Sequence, residues 1–175
     1  MNRYVLCLLA ALLAAACDQT RKVEIPSPAP FDPGASSHFC GMAIGEHPGP
    51  KGQIWVEDNK QPVWFASVRD TIAFTLLPEE PKDIRAIYVT DMATAPSWEK
   101  AAEGQWIEAR TAIYVIDSTV SGGMDASEAV PFSQRAAAEA FVVRHGGRLV
   151  AFTDIPRADI LGTPAGSEGR QARTP

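Results

Sequence analysis

The segment 38–42 reads His-Phe-Cys-Gly-Met and places an imidazole, a thiol and a thioether at alternate positions. In an extended segment, side chains at alternate positions project from the same face. A thiolate and a thioether are soft donors, which suit Cu(I) better than any hard cation. The spacing therefore predicts a Cu(I) site formed by Cys40 and Met42, with His38 as a further candidate ligand.

The N-terminus has the pattern of a lipoprotein signal peptide. Arg3 precedes an apolar stretch, residues 4–16, which is too short to span a bilayer and ends in small residues. We predict that residues 1–16 are cleaved and that Cys17 is lipidated, because a cysteine directly after such residues is typical of a lipobox. An ordinary signal peptide followed by an unmodified cysteine is the alternative. Since Cys7 leaves with the signal peptide and Cys17 is modified, Cys40 is the one thiol left in the mature chain.

An unpaired thiol in an exported protein needs an explanation, because oxidising compartments convert exposed cysteines into disulfides. Metal ligation, nucleophilic catalysis and simple burial are the alternatives for Cys40. A thiol enzyme needs a base and an orienting carboxylate, roles that His38 or His47 could fill together with Glu46. A zinc site is less well supported, since thioethers are poor zinc ligands. A purely structural lipoprotein leaves the free thiol unexplained.

Composition and charge bound the remaining possibilities. The chain has 175 residues, a formal net charge of −5 and no basic segment, so nucleic acid is an unsuitable partner. Residues 17–37 are Pro-rich, and residues 156–175 have few large apolar side chains. We therefore predict a flexible tether over 17–37, one folded domain over 38–155 and a disordered tail over 156–175.

Within that domain a weak internal repeat relates residues 65–74 to residues 132–141, since each segment begins with Phe and ends in Ala-Phe. Each segment is compatible with a helix, follows two short apolar strands and precedes a third. We predict an α+β fold of two homologous ββαβ units, about 38–92 and 104–155. For the second helix, Ser133 is the expected N-cap and Gly146 the expected stop, which explains His145 as a cationic residue of the last turn.

Two further residues could complete a Cu(I) site. His47 stands in the rigid turn 46–50, which could direct its imidazole toward Cys40 or leave it on the surface. Met124 lies in the polar, Gly-rich loop 118–128, where no periodic apolar face requires it, so it either covers a hydrophobic edge or supplies a second thioether. Met92 is a weaker candidate of the same kind.

Several of these segments together resemble the NosL family, the accessory lipoproteins of nitrous-oxide reductase. The matching segments are His-Phe-Cys-Gly-Met at 38–42, His-Pro-Gly-Pro-Lys at 47–51, residues 62–69 and 76–82, Gly-Gly-Met at 122–124 and Val-Pro-Phe at 130–132. The resemblance implies two homologous ββαβ units and carries Cys40, Met42 and Met124 over as copper ligands. It leaves open which histidine, if any, completes the site.

The resemblance also implies a function and a location. It implies a periplasmic copper chaperone that binds one Cu(I) and passes the ion toward nitrous-oxide reductase, beside a membrane ABC-type complex of the same maturation system. We expect a monomer without enzymatic activity, held at the membrane by a lipid on Cys17. Asp18, directly after the lipidated residue, favours the inner membrane.

Overall fold

The computed structural model describes residues 24–122 and 126–162, so Cys17 and Met124 lie outside the described residues. The described chain forms two small antiparallel sheets, each with one main helix against it. In chain order the strands and helices are β1 (Gly52–Val56), β2 (Val63–Phe65), α1 (Val68–Leu76), β3 (Ile84–Thr90), β4 (Trp106–Glu108), β5 (Ile113–Ile116), β6 (Val130–Phe132), α2 (Arg135–His145), β7 (Arg148–Ala151) and α3 (Arg157–Leu161).

In the first sheet, β1 lies between β2 and β3 and pairs antiparallel with both. Apolar side chains of β1 and β3 pack against the buried face of α1, where Ile72 and Phe74 lie. Helix and sheet approach closely at Gly52, since a Cβ there would stand 1.8 Å from Oγ1 of Thr71. Glycine at this position therefore allows α1 to lie directly on β1.

The second sheet repeats this strand order, because β5 lies between β6 and β7 and pairs antiparallel with both. Helix α2 covers it with Ala138 and Phe141, which pack against Val115 and Val130. The α+β class is confirmed, and the shared strand order is consistent with two ββαβ units.

One short strand joins a different unit from the one we expected. Residues 106–108, grouped by sequence with the second unit, form β4 at the edge of the first sheet, where Tyr88 pairs with Glu108 and Thr90 with Trp106. The chain returns to this edge because the N–H of Asp91 donates to the carbonyl of Gln105 at 2.7 Å. The first sheet thus has four strands and the second has three.

The N-terminal arm corrects the prediction of a flexible tether over 17–37. From Glu24 onward the arm lies against the first sheet, and Ala29 exchanges two hydrogen bonds with the fully buried amide of Gln53, at 2.8 and 3.0 Å. The hydroxyl of Tyr88 donates to the carbonyl of Pro26 at 2.7 Å. These bonds use backbone groups of the arm, which its Pro-rich composition does not reveal. Any free tether is therefore confined to residues before Glu24.

The prediction of a disordered tail is wrong for residues 157–161, which form helix α3. Helix α3 buries Ile160 in the main hydrophobic core, which includes residues of both units, and the guanidinium of Arg157 donates to the carbonyl of Leu76 at 3.3 Å. Ile155, just before this helix, and Ile160 within it are both buried. Within the described residues, no helix is long and apolar enough to span a membrane.

The boundaries of α2 differ in part from the prediction. Its N-cap is Gln134 and not Ser133, because Ser133 is engaged by the first unit: its N–H and hydroxyl donate to the two carboxylate oxygens of Asp91, at 2.9 and 2.5 Å. The predicted stop is confirmed, since Gly146 has a φ of +69° and donates its N–H to the carbonyl of Val142.

Replacing Gln53 with Ala should release the arm from the sheet. The N–H of Ala29 loses its acceptor, so its hydrogen exchange should accelerate markedly, and the unfolding free energy should fall by about 1–3 kcal/mol because buried partners are left unpaired. Hydrogen-exchange mass spectrometry and urea unfolding measure both effects. Gln61→Ala, on an exposed glutamine, is the matched control. Unchanged exchange over residues 24–30 in Gln53→Ala would show that the arm is held by other contacts.

Candidate functional site

The segment 38–42 forms a tight turn, so the expectation of an extended segment was wrong. The N–H of Ser37 donates to the carbonyl of Met42, and the N–H of Gly41 donates to the carbonyl of Ser37, each at 2.8 Å. Gly41 has a φ of +72°, a conformation that glycine adopts readily. The chain therefore reverses direction here, and alternate side chains do not share one face as they would in a strand.

The turn places Cys40 in a cleft of about 480 Å³ at the N-terminal end of α1. Cys40 is half-buried and has no disulfide partner among the described residues. Both units contribute to the walls, since Ala126 comes from the loop before β6. The lining residues are Phe39, Cys40, His47, Ala66, Ser67, Arg69, Asp70 and Ala126.

His47 lines the same cleft, so the structure brings together the thiol and one of the two candidate histidines. Its Nε2 is buried and has no hydrogen-bond partner in the described part of the chain. Buried polar atoms are normally paired, and an unpaired one lowers stability. A nitrogen in this state is suited to bind a metal ion or to accept a hydrogen bond from a group that reaches it through the cleft.

The backbone beneath His47 is held by Lys51, which is 1% exposed. Its ammonium donates to the carbonyls of His47 and Gly49 at 2.7 Å, and to those of Pro48 and Ala66 at 3.2 Å. Burial lowers the pKa of Lys51 to about 8, against the opposing influence of the Glu128 carboxylate. The turn that carries His47 is thereby tied to the residue that precedes the N-cap of α1.

His38 has a different environment from His47. Its Nε2 lies 2.9 Å from a carboxylate oxygen of Glu80, and its ring makes edge contacts with Phe65 and Phe74 at centroid distances of 5.8 and 5.2 Å. His38 is not among the residues that line the Cys40 cleft. His38 therefore has hydrogen-bonding and aromatic partners outside the cleft. This environment does not favour the role of a Cu(I) ligand, for which His38 was a candidate.

The described residues give less support to the two candidate thioether ligands than to His47. Met42 is 38% exposed and lies outside the lining of the cleft, two residues beyond Cys40. Met124 lies outside the described residues, but Gly122 and Ala126 on either side are joined by a hydrogen bond of 2.8 Å, and Ala126 lines the cleft. Met92 belongs elsewhere, since it lines a second cleft together with His145.

Two charged residues of the cleft, Arg69 and Asp70, were missed by the sequence analysis. Both belong to the first turn of α1, where Ser67 accepts a hydrogen bond from the N–H of Asp70 at 3.0 Å. Burial raises the pKa of Asp70, while the Ser67 hydroxyl, Arg69 and His47 act in the opposite direction. The spacing of Ser67 and Asp70 is typical of a helix N-terminus and was the available signal.

Behind the cleft lies the buried carboxylate of Glu128, which is 4% exposed. One oxygen accepts hydrogen bonds from the N–H groups of Arg69 and Ala129, at 2.7 and 2.9 Å. Burial raises the pKa of Glu128 to about 7; Asp70 also raises it, whereas the two N–H groups and Lys51 lower it. Glu128 is therefore a buried acid that titrates near neutral pH.

The described residues, 24–122 and 126–162, lack the side-chain cluster typical of a structural zinc site. No group of three or more His, Cys, Asp or Glu side chains in these ranges is arranged to hold a metal ion. A structural zinc site needs four such ligands. Fold and cleft thus define a class: a small α+β protein of two ββαβ-like units that presents a free thiol and an unpaired imidazole in an open cleft.

Comparison with known proteins places the chain within one family. The NosL family model matches residues 28–160. The copper-binding lipoprotein NosL of Achromobacter cycloclastes is 44% identical over 171 residues, covering 96% of this chain and 88% of that protein. Its counterpart from Stutzerimonas stutzeri is 35% identical over 155 residues, covering 86% and 80%. The chain belongs to the NosL family.

Solved structures agree with this assignment. The crystal structure of the copper chaperone NosL from Shewanella denitrificans superimposes with a TM-score of 0.69 at 35% identity, covering 77% of this chain and 98% of that one. The solution structure of apo-NosL from Achromobacter cycloclastes gives a TM-score of 0.50 at 44% identity, with coverages of 67% and 93%. The fold described above is therefore the fold of this family.

The buried Glu128 should make stability depend on pH in a defined direction. In the unfolded chain its pKa is near the ordinary 4.5, and in the folded chain it is about 7. Between these values the folded protein binds more protons, so this residue makes stability fall as the pH rises from 4.5 to 7. Glu128→Gln should remove that dependence.

Urea unfolding of the wild type and of Glu128→Gln, at a series of pH values, measures the effect. We expect the stability of the variant relative to the wild type to increase as the pH rises through this window. Glu139→Gln, on the exposed side of α2, should show no such trend. Parallel pH profiles for the wild type and Glu128→Gln would contradict the assignment.

Proposed function

We propose that this chain is a membrane-anchored periplasmic chaperone that binds one Cu(I) as cargo and delivers it for the maturation of nitrous-oxide reductase. The observation that carries the proposal is the shared cleft of Cys40 and His47, in which a thiol and a buried imidazole nitrogen both lack a partner among the described residues. Thiolate and imidazole are both good ligands for copper, and the thiolate favours the reduced ion. The printed names of the relatives, copper-binding lipoprotein and copper chaperone, support the same cargo.

The proposed ligands are the Cys40 thiolate, the His47 imidazole and one or both thioethers of Met42 and Met124. Met42 is two residues from Cys40, and Met124 belongs to the loop whose Ala126 lines the cleft. We do not include His38 in the set, because its Nε2 is paired with Glu80. The thiol must lose its proton when copper binds, so acid should weaken binding.

Transfer follows from the small number and the exposure of these donors. A site with few soft ligands in an open cleft leaves a coordination position that the donors of a partner can enter before the ligands of this chain depart. Phe39, which lines the cleft, is 42% exposed, and Met42, two residues beyond Cys40, is 38% exposed, so the surface near the cleft presents apolar side chains to such a partner. Exchange by this route avoids a free copper ion at every stage.

The resemblance to the NosL family supports the proposed partners, nitrous-oxide reductase and the membrane ABC-type complex of its maturation system. Anchoring would bring the chaperone to that complex and raise its effective concentration there. Only six residues separate Cys17 from Glu24, where the arm meets the sheet. Seven peptide steps span at most about 25 Å, so a lipid on Cys17 would keep the domain close to the membrane surface.

A second candidate function rests on the same cleft. Asp70 lines it together with Cys40 and His47, so a nucleophile, a base and a carboxylate share one cavity. A thiol-dependent enzyme uses such a set. The two functions differ in what Cys40 does. If Cys40 is a ligand, its replacement should abolish copper binding. If Cys40 is a nucleophile, its replacement should abolish turnover whether or not metal is present.

Cys40→Ser should separate ligation from packing. If Cys40 is a ligand, the variant should keep its thermal midpoint and lose high-affinity Cu(I) binding, since a hydroxyl is a poor ligand for a soft ion. Competition against a Cu(I) chelator measures the affinity, and X-ray absorption on the loaded wild type counts the sulfur ligands. In cells the variant should leave nitrous-oxide reductase short of copper, with nitrous oxide accumulating. Retained copper affinity in Cys40→Ser would overturn the proposed site.

The two histidines should respond differently to the same substitution. His47→Ala removes a proposed ligand and should weaken Cu(I) binding by about ten-fold or more, equivalent to ~1.4 kcal/mol. His38→Ala removes the contacts with Glu80 and the aromatic rings, so it should lower the thermal midpoint and leave copper affinity unchanged. Chelator competition and thermal unfolding on both variants provide the test. The reverse pattern would assign the imidazole ligand to His38.

Cys17→Ser should convert a detergent-partitioning protein into a soluble periplasmic one and leave copper affinity unchanged, because the lipid and the cleft are separate features. Membrane fractionation followed by chelator competition provides the measurement. Cys7→Ser, within the predicted signal peptide, is the matched control and should still be anchored. Membrane association of Cys17→Ser would show that something other than a lipid on Cys17 holds the chain there.

A further inference from the structure

Glu128 is a buried acid that belongs to one unit and binds the other. It lies two residues before β6, yet its carboxylate accepts the N–H of Arg69 in the first turn of α1 at 2.7 Å. It also accepts the N–H of Ala129, and its second oxygen is buried without a partner in the described part of the chain. None of the proposed copper ligands requires a carboxylate here, so its presence needs a reason.

The first reason lies in the end of α1. The first N–H groups of a helix have no acceptor within the helix itself. The hydroxyl of Ser67 accepts the N–H of Asp70, and Glu128 accepts that of Arg69, so the two units together complete this helix end. Ser67, Arg69 and Asp70 all line the Cys40 cleft. The bond to Glu128 therefore fixes one wall of that cleft.

The second reason lies in the loop before β6. Gly122 packs so closely on Glu128 that a Cβ there would stand 2.6 Å from the second carboxylate oxygen. The N–H of Gly122 donates to the carbonyl of Ala126, and Ala126 lines the cleft. The side chain of Glu128 thus contacts both the helix end and the loop that contribute residues to the cleft.

We propose that Glu128 is a positioning residue for the Cu(I) site, holding the first turn of α1 and the loop residue Ala126 at their places around Cys40. The proposal rests on the proposed function, because it assigns a role toward the copper cargo. Glu128 does not itself ligate the ion. It acts through the backbone groups that it binds and, when ionised, through a negative charge beneath a cleft that receives a cation.

The charge of the Glu128 carboxylate should make copper affinity depend on pH. Among the described residues, Asp70, Arg69 and Lys51 are charged groups near Glu128 on the side of the first unit. The carboxylates of Asp117 and Asp159 line another pocket that Glu128 also lines. An added cation in the cleft favours the ionised carboxylate, so protonation of Glu128 should weaken copper binding as the pH falls through the region near 7. A residue that only supports the fold has no reason to produce this component.

The test uses Glu128→Gln and Glu128→Ala in the full mature chain, with Glu139→Gln as the control. Cu(I) affinity is measured by chelator competition between about pH 6 and about pH 8, which brackets the titration of Glu128. We expect Glu128→Gln to bind about ten-fold more weakly at the upper end, as is usual when a group supporting a metal site is changed. Its affinity should also fall less steeply with acid than that of the wild type.

Glu128→Ala should weaken binding further and accelerate hydrogen exchange at the N–H of Arg69, which loses its acceptor. If Glu128→Ala does not fold, Glu128→Gln still decides, because the amide keeps an acceptor oxygen for both N–H groups. Affinity within two-fold of the wild type, with an unchanged pH slope, would overturn the proposal even if the thermal midpoint shifts.

Measuring Cys40→Ser in parallel distinguishes a failure of the proposed function from a failure of the positioning role of Glu128. If Cys40→Ser binds Cu(I) like the wild type, the proposed function itself fails. If Cys40→Ser loses copper and the Glu128 variants do not differ from Glu139→Gln, the positioning role alone is overturned.

Discussion

The cleft depends on a single ammonium group inside the first unit. Lys51 is almost fully buried, and a charge in that position is tolerated only when it is well hydrogen-bonded. Its partners are the carbonyls of residues 47–49 and of Ala66, so the turn bearing His47 and the approach to α1 are joined through one side chain. Because these contacts are made by protein groups alone, they hold the backbone beneath the imidazole in place, and little ordering of this turn is needed when a ligand binds.

Hydrogen bonds to two carboxylates also join the two units. Asp91, directly after β3, accepts hydrogen bonds from Ser133 of the second unit, and Glu128 of the second unit accepts one from Arg69 of the first. Apolar surfaces can slide over one another, whereas a carboxylate bonded to a particular N–H fixes position. This difference matters because the cleft takes its walls from both units and its shape follows from how they are joined.

The parts of the structure that could be predicted from sequence are those set by local pattern. Strand and helix periodicity gave the α+β class, and Gly146 marked the end of α2 because its positive φ is a local requirement. The arm and α3 were missed because long-range contacts hold them, such as the bonds between Ala29 and Gln53. The turn at 38–42 was misjudged because alternation of side chains was given more weight than Gly41.

The same division applies to the candidate site. Cys40 and His47 could be named from residue type and from a rigid turn, and the structure brings them into one cleft. Asp70 and Glu128 could not be connected to that cleft, because 57 residues lie between them and no spacing rule relates them. Their importance comes from burial, which raises the pKa of both and is a property of the folded chain alone.

A cargo site has to satisfy two opposing demands, and the geometry indicates how this chain meets them. Tight binding favours many fixed donors, whereas transfer requires that a donor can leave and that a partner can enter. His47 belongs to the fixed part, since Lys51 holds its backbone, while Met42 stands partly exposed at the edge. With the ligands proposed above, the thiolate and the imidazole would retain copper in the absence of a partner, and the partly exposed thioether of Met42 could be replaced first when a partner docks. The buried contacts of Lys51 would then keep the imidazole in place while an exposed ligand is exchanged.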